Sequence, residues 1–253
     1  MNIKAGALIA IVLVAVTVTL FVPPVPQDPA FHLFADTRTI FGIPNFWDVM
    51  SNLPFLLIGL AGILLVLKDP PGCLPELRQA YLVFFSGVLL VAGGSAYYHW
   101  NPNNQTLFWD RLPITFGFMG ITAAVIGENI SIRFSRILLW PLVMAGAASV
   151  IYWYFTEQAG AGDLRAYGLV QFLPMLLLPM TLLMFSSRLD SNVWLWSAFV
   201  GYGFAKVLET FDHSIFAALG VSGHTLKHLA AAAGAWCILE ALKRRYVINN
   251  QPL

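Results

Sequence analysis

The feature that most constrains this chain is a train of long apolar runs. They cover residues 5–22, 45–67, 78–99, 106–127, 136–156, 164–185, 192–212 and 222–242. Each is close to the ~20 residues an α-helix needs to cross a bilayer. Pro, Gly, Asn or charged residues bound every run, as at helix ends. The runs are continuous, whereas a β-barrel strand alternates apolar and polar residues. In lipid such a run satisfies its backbone polar groups only as a helix. Composition agrees: 58% of residues are hydrophobic and 11% charged, against about 25% charged in a soluble domain. The expected fold is an all-α integral membrane protein, a seven-helix transmembrane bundle with one extra N-terminal spanning helix. Residues 1–22 are expected as that extra helix or an uncleaved signal anchor, 23–44 as a polar outer connector, and 45–253 as the seven-span domain. The first run exceeds a usual signal-peptide core and lacks a small-x-small cleavage site, so it is expected to be retained.

Lys and Arg set the orientation. With eight spans both termini share a side, which receives Lys4, Lys68, Arg78, Arg133, Arg136, Arg188, Lys243, Arg244 and Arg245. The opposite side receives only Arg38, Arg111 and Arg165, with Lys227 just inside a span. The bias puts both termini in the cytoplasm. It also puts Ser95, His99, Asp110, His224 and His228 together near the outer face. No basic tract points to nucleic acid; the expected surroundings are the lipid bilayer, and the sequence assigns no oligomeric state.

That common depth gives the polar residues their meaning. His224 and His228 are four apart, so on a helix they share a face and can close on one metal ion. Alone, the pair reads equally as two helix-end histidines at a membrane surface. Ser95 and His99 repeat the spacing, and Asp110 follows eleven residues after His99. Ionisable residues within spans are expensive and are candidates for function. The two cysteines, Cys73 and Cys237, fall at different depths, so neither a disulfide nor a thiolate site is expected. Three His ligands leave a tetrahedral Zn²⁺ an open position, the catalytic pattern. A nearby Asp can move a proton and a Ser hydroxyl can donate to an oxyanion. These parts suit hydrolysis of an amide or ester. Ser95 has a simpler alternative, a hydrogen bond to the Val91 carbonyl one turn earlier.

The combination Ser95-x-x-x-His99, Asp110 and His224-x-x-x-His228 resembles the alkaline ceramidase family, part of a seven-span hydrolase superfamily that includes adiponectin-type receptors. The stretch Asn45-Phe46-Trp47-Asp48-Val49-Met50-Ser51-Asn52 resembles the start of that family's first core helix, and the likeness spans roughly residues 36–243. It implies zinc on His99, His224 and His228, catalytic roles for Ser95 and Asp110, and a membrane lipid substrate, ceramide or another N-acyl lipid. Two features depart from the family: helix 5–22 is extra, and the acidic calcium-binding segment of eukaryotic members is reduced here to Asp36, Asn45 and Asp48. A hard Ca²⁺ wants six to eight oxygens, so calcium dependence is expected to be weak or absent. The alternative is a receptor or sensor with a structural zinc site and little turnover. The short inner loops and tail argue against it, and Ser95 and Asp110 argue against a transporter or haem protein.

Other polar residues receive plainer readings. Lys206 and Glu209 are expected to neutralise each other, as a structural pair or as part of a pocket wall. Asp212 and His213 are expected at the interface, the alternative being support for the zinc ligands. His32 is expected in solvent and Glu128 as a solvated boundary residue. Trp47, Trp100 and Trp109 fit an aromatic belt. Pro113, Pro141, Pro174 and Pro179 are expected to kink spans and open a cavity.

Overall fold

The computed structural model describes residues 3–248, so the outermost residues of the expected N-terminal helix and catalytic domain lie outside the described part. Every apolar run becomes helix. The helices are α1 (Ile3–Phe21), α2 (Phe46–Met50), α3 (Leu53–Val66), α4 (Arg78–Trp100), α5 (Asn104–Asn129), α6 (Ile132–Gln158), α7 (Arg165–Met184), α8 (Val193–Thr210), α9 (Asp212–Leu219) and α10 (Gly223–Arg244). No strand occurs among the described residues; two isolated bridges, Ile40–Ile43 and Leu189–Val247, tie loops.

Five segments are long and apolar enough to cross a membrane: Ile3–Phe21, Phe46–Val66, Pro75–Trp100, Ile132–Gln158 and Arg165–Met184. The expected count of seven core spans plus one therefore stands only in part. The long helices outside that set are α5, α8 and α10, and they carry inward-facing charge: Asp110, Arg111 and Glu128 buried on α5, Glu240 buried on α10 and the partly buried Glu209 on α8. These residues lower a helix's mean hydropathy while facing protein.

Two further differences are local. The run 45–67 breaks at Ser51–Asn52 into α2 and α3. Pro54 sits at the start of α3, where its missing N–H costs nothing but a helix cannot pass straight through. The stretch after α8 is not a plain connector but the short helix α9, closed by Gly220 at φ 68. Left-handed backbone of that kind is easiest for glycine.

Side-chain caps start several helices. Asn103 makes a reciprocal capping box with Thr106 at α5, Ser131 caps α6, and Ser222 accepts from the His224 and Thr225 N–H groups at α10. Helix α4 lies against α3 and α5, α8 against α10, and α1 against α7. Small residues let α4 and α5 approach closely: a methyl group on Gly94 would lie 2.0 Å from the Trp109 carbonyl oxygen, and one on Gly87 2.5 Å from the Gly117 nitrogen. The main core includes Phe55, Tyr81, Phe85, Val88, Leu239 and Leu242. A second cluster of Phe34, Tyr98, Leu107, Val150, Trp153 and Tyr167 lies toward the other end.

Glu128 overturns its expected place in solvent. It is fully buried, with both carboxylate oxygens on the Arg245 guanidinium at 2.8 and 2.9 Å, and it accepts a short hydrogen bond from Tyr81. The chain after α10 carries Arg245 inward, and a buried carboxylate with a bidentate partner no longer needs water.

Candidate metal centre and lipid cavity

Local structure explains why the site residues meet. The last turn of α4 carries Ser95 and His99, the second turn of α5 carries Asp110, and the first turns of α10 carry His224 and His228. Since α4 and α5 run in opposite directions around a tight Asn-capped turn, Ser95 and Asp110 come together on the wall of one cavity. No hydrogen bond joins Ser95 to the Val91 carbonyl. Gly223 lets α10 start against α8, because a methyl group there would lie 2.4 Å from the Leu208 carbonyl oxygen.

His99, His224 and His228 are buried, and each offers a ring nitrogen such that the three atoms lie within 4.8 Å of one another. Their ring centroids are 4.7–5.0 Å apart. Both His99 ring nitrogens are buried without a hydrogen-bond partner. A buried polar atom left so is costly, and native structures rarely tolerate one without a ligand. His228 Nδ1 lies 2.7 Å from Ser51 Oγ, which donates to the Asp48 carbonyl at 3.0 Å. The Ser51 oxygen is then free to accept from Nδ1–H, leaving the Nε2 lone pair of His228 for a ligand. His224 Nε2 lies 3.0 Å from Lys227 Nζ. Three neutral imidazoles, one without any other partner, fit a borderline transition metal such as zinc.

The connector and α9 close over this cluster. Phe34 packs on His99 and His224 with centroids at 4.6 and 4.8 Å, and Asn45 Nδ2 donates to the His99 carbonyl at 2.7 Å. Asp212 does not lie at an interface but is buried. Its carboxylate accepts from the His224 N–H at 3.0 Å, Ser222 Oγ at 2.7 Å and the Ala35 N–H at 3.0 Å. It thus fixes the start of α10 and the connector together. Asp48 Oδ1 accepts from Thr225 Oγ1 at 2.6 Å, one residue beyond His224. The likeness around Asn45–Asn52 pointed to Asp48, and Asp212 takes the alternative place beside the histidines rather than the interface one. His213 stays exposed, its Nε2 3.2 Å from the Leu33 carbonyl oxygen. His32, expected in solvent, is half-buried between Tyr98 Oη and Asn104 Oδ1, both at 2.9 Å.

The residues named for calcium have other engagements. Asp36 holds Arg38 through both oxygens, at 2.7 and 2.5 Å. Burial works to raise the Asp36 carboxyl, but Arg38 outweighs it and holds it below the usual carboxylate range.

A cavity of about 290 Å³ runs from the histidine end into the bundle. Ser95, Asp110 and His228 line its polar end; Val125, Leu182, Leu195 and Ile238 line its far end. Along α5 the walls from Asp110 to Val125 span about 22 Å at 1.5 Å per residue. Pro113 is among the wall residues, in keeping with the expected role of prolines. Lys206 and Glu209 form their expected pair and also line this wall; Glu209 is shared with Lys227 at 2.8 Å.

No curated protein matches the chain. The ceramidase family model matches residues 40–211, which include Ser95, His99 and Asp110 and stop before His224 and His228. With well over half of its length inside that match, the chain belongs to the ceramidase family.

Proposed function

We propose that this protein is a zinc-dependent amidohydrolase of the membrane that cleaves the amide bond of a ceramide-like N-acyl lipid. The observation that carries the reading is the buried triad His99, His224 and His228, with both nitrogens of His99 unpartnered, beside a cavity that also bears Ser95 and Asp110. Zinc held by the three histidines would supply Lewis acidity and a water acidified toward pKa about 7.

The chain's own groups then divide the work. The apolar walls hold the acyl chain, and their ~22 Å length suits a long fatty acid. Asp110 accepts the proton of the attacking water and delivers it to the amine nitrogen as the C–N bond breaks. Ser95 turns its hydroxyl to the carbonyl oxygen as that atom gains negative charge. Ser51 and Asp212 act at one remove, orienting His228 and the helix that carries His224. Phe34 keeps bulk water from the ring faces. The bias of Lys and Arg supports a site near the outer face with both termini cytoplasmic.

The direct test pairs metal analysis with assay of fatty-acid release from ceramide. The expected result is one zinc per chain and turnover in the wild type, both lost in His224→Ala and His228→Ala. Full zinc content in both variants, with the protein folded, would refute the ligand assignment.

A further inference from the structure

At the end of the bundle that carries Glu128, most carboxylates already have partners. Asp69 pairs with Arg78 at 3.1 Å, Glu128 with Arg245 at 2.8 Å, and Glu240 with Lys243 and Arg244 at 2.9 and 2.6 Å. Asp190 Oδ1 accepts from the Tyr246 N–H at 3.0 Å. Three arginines at the same end are left without a carboxylate.

They meet at one place. A groove of about 860 Å³ opens between the start of α4, the start of α6 and the loop before α8. Arg133, Arg136 and Arg188 line it against one carboxylate, Glu76. Arg133 and Arg136 are exposed and, among the described residues, make no hydrogen bond or ion pair. Arg188 gives Nη1 to the Gly127 carbonyl at 2.7 Å and keeps Nε buried without a partner. Glu76 forms no ion pair with any of the three. Even with Asp190 counted beside Glu76, guanidinium groups outnumber carboxylates in and around the groove. Planar, permanently charged forks of this kind match phosphate oxygens.

Helix α6 adds the second half of the argument. Arg133, Arg136, Ile137 and Trp140 are spaced i, i+3, i+4 and i+7, so they share one stripe of the helix. The segment Ile132–Gln158 is apolar and long enough to cross a membrane, and Ile137 and Trp140 are 57% and 54% exposed. The stripe therefore passes from guanidinium to bare apolar surface within two turns, about 10 Å. A phospholipid has the same order of chemistries, from phosphate to acyl chain. A soluble anion would use only the arginines.

We propose that this groove binds an anionic phospholipid, its phosphate held by Arg133, Arg136 and Arg188 and its acyl chains lying along Ile137 and Trp140. The occupant fastens α4, α6 and the α7–α8 loop together at the end away from the histidines. The proposal asks nothing of the amidohydrolase reading.

The test follows thermal unfolding of the purified full-length protein in neutral detergent micelles. The additives are dioleoyl-phosphatidylglycerol, dioleoyl-phosphatidylcholine and inorganic phosphate. Phosphatidylglycerol should raise Tm in a saturable way, as a ligand of the native state does. Phosphatidylcholine, with the same chains, and phosphate at the same concentration should not. Arg133→Gln/Arg136→Gln changes exposed side chains and should fold. It should weaken apparent affinity for phosphatidylglycerol about tenfold or more, on a scale of about fivefold for each basic side chain at an anionic surface. Should the double variant not fold, Arg133→Gln alone is read, with about fivefold weakening expected. Arg78→Gln removes a cation from the same end that already has a carboxylate, and should leave that affinity unchanged. Absence of stabilisation by phosphatidylglycerol, or equal stabilisation by phosphatidylcholine, would overturn the proposal. Stabilisation by phosphate alone to the same extent would reduce the groove to a soluble-anion site. An equal loss in Arg78→Gln would make the effect one of general charge and remove the site.

Discussion

Two buried polar clusters occupy opposite ends of this bundle, and they are built on opposite principles. At one end Glu128, Arg245 and Tyr81 satisfy one another, although the neighbouring Arg188, which donates to the Gly127 carbonyl at 2.7 Å, keeps its Nε buried without a partner. At the other end His99, Arg111 and Asp48 each keep a buried nitrogen or oxygen without a partner. Both clusters cost desolvation. Only the first recovers that cost within the chain, by holding the C-terminal arm to α4 and α5. The second leaves it to be recovered by something that binds.

The sharpest break of this contrast would be a site variant that only loses stability. Asp110→Asn should instead keep fold and zinc and lose turnover by about 10²–10⁴-fold, the scale of a general acid or base. Ser95→Ala should follow at about 10²–10³-fold in the single-turnover rate, with zinc content verified. A Ser95→Ala rate within a few-fold of wild type would leave Ser95 as a packing residue. The opposite end should answer in the other currency. Arg245→Met leaves Glu128 buried and unpaired, and should cost about 3–5 kcal/mol in denaturant unfolding. Turnover per folded molecule should stay at the wild-type value; a selective loss of rate would erase the distinction between the ends.

Ser51→Ala tests how far the working end extends. It removes the acceptor for His228 Nδ1 but no ligand, and should weaken zinc affinity about 10–100-fold by competitive chelation. Unchanged affinity would confine the site to the histidines. The smallest effect belongs to a satisfied pair in a loop, with Asp163 buried and Arg165 partly exposed. Arg165 hydrogen bonds hold Asp163 down to about 2 from 3.8. A carboxylate held below its unfolded value stabilises above about pH 4 and loses that contribution as pH falls toward 2. Asp163→Asn should therefore lower Tm slightly at neutral pH, and the gap should close below pH 4.

What the sequence makes legible follows the same division. Each apolar run became helix because hydropathy is a property of consecutive residues. The convergence of Ser95, His99, Asp110, His224 and His228 was legible because helical spacing and the order of the apolar runs bring them to one end of the bundle. Pairings between distant residues were not. Glu128 and Arg245 are 117 apart, and Ser51 and His228 are 177 apart. Nothing in a local window distinguishes Glu128 from a solvated boundary residue, or Asp212 from an interface one. Helix α9 escaped for a related reason: eight residues are too few for a periodic signal, and its limits are set by Asp212 and Gly220. The helices α5, α8 and α10 fall short on apolar composition because they carry charges that face protein.

Asp212 has a consequence for how the protein comes into being. Its carboxylate accepts from the Ala35 N–H, 177 residues earlier, and from the His224 N–H at the start of α10, and so joins the connector to that helix. A chain made from its N-terminus has His99 and Phe34 in place long before Asp212 exists to hold them. Closing so distant a contact is slow, since its loop entropy must be met before any reward. The last helix therefore arrives as a keystone, and the half-made bundle must wait with its imidazole bare. A chain stopped before α10 lacks two of the three histidines of the proposed metal site.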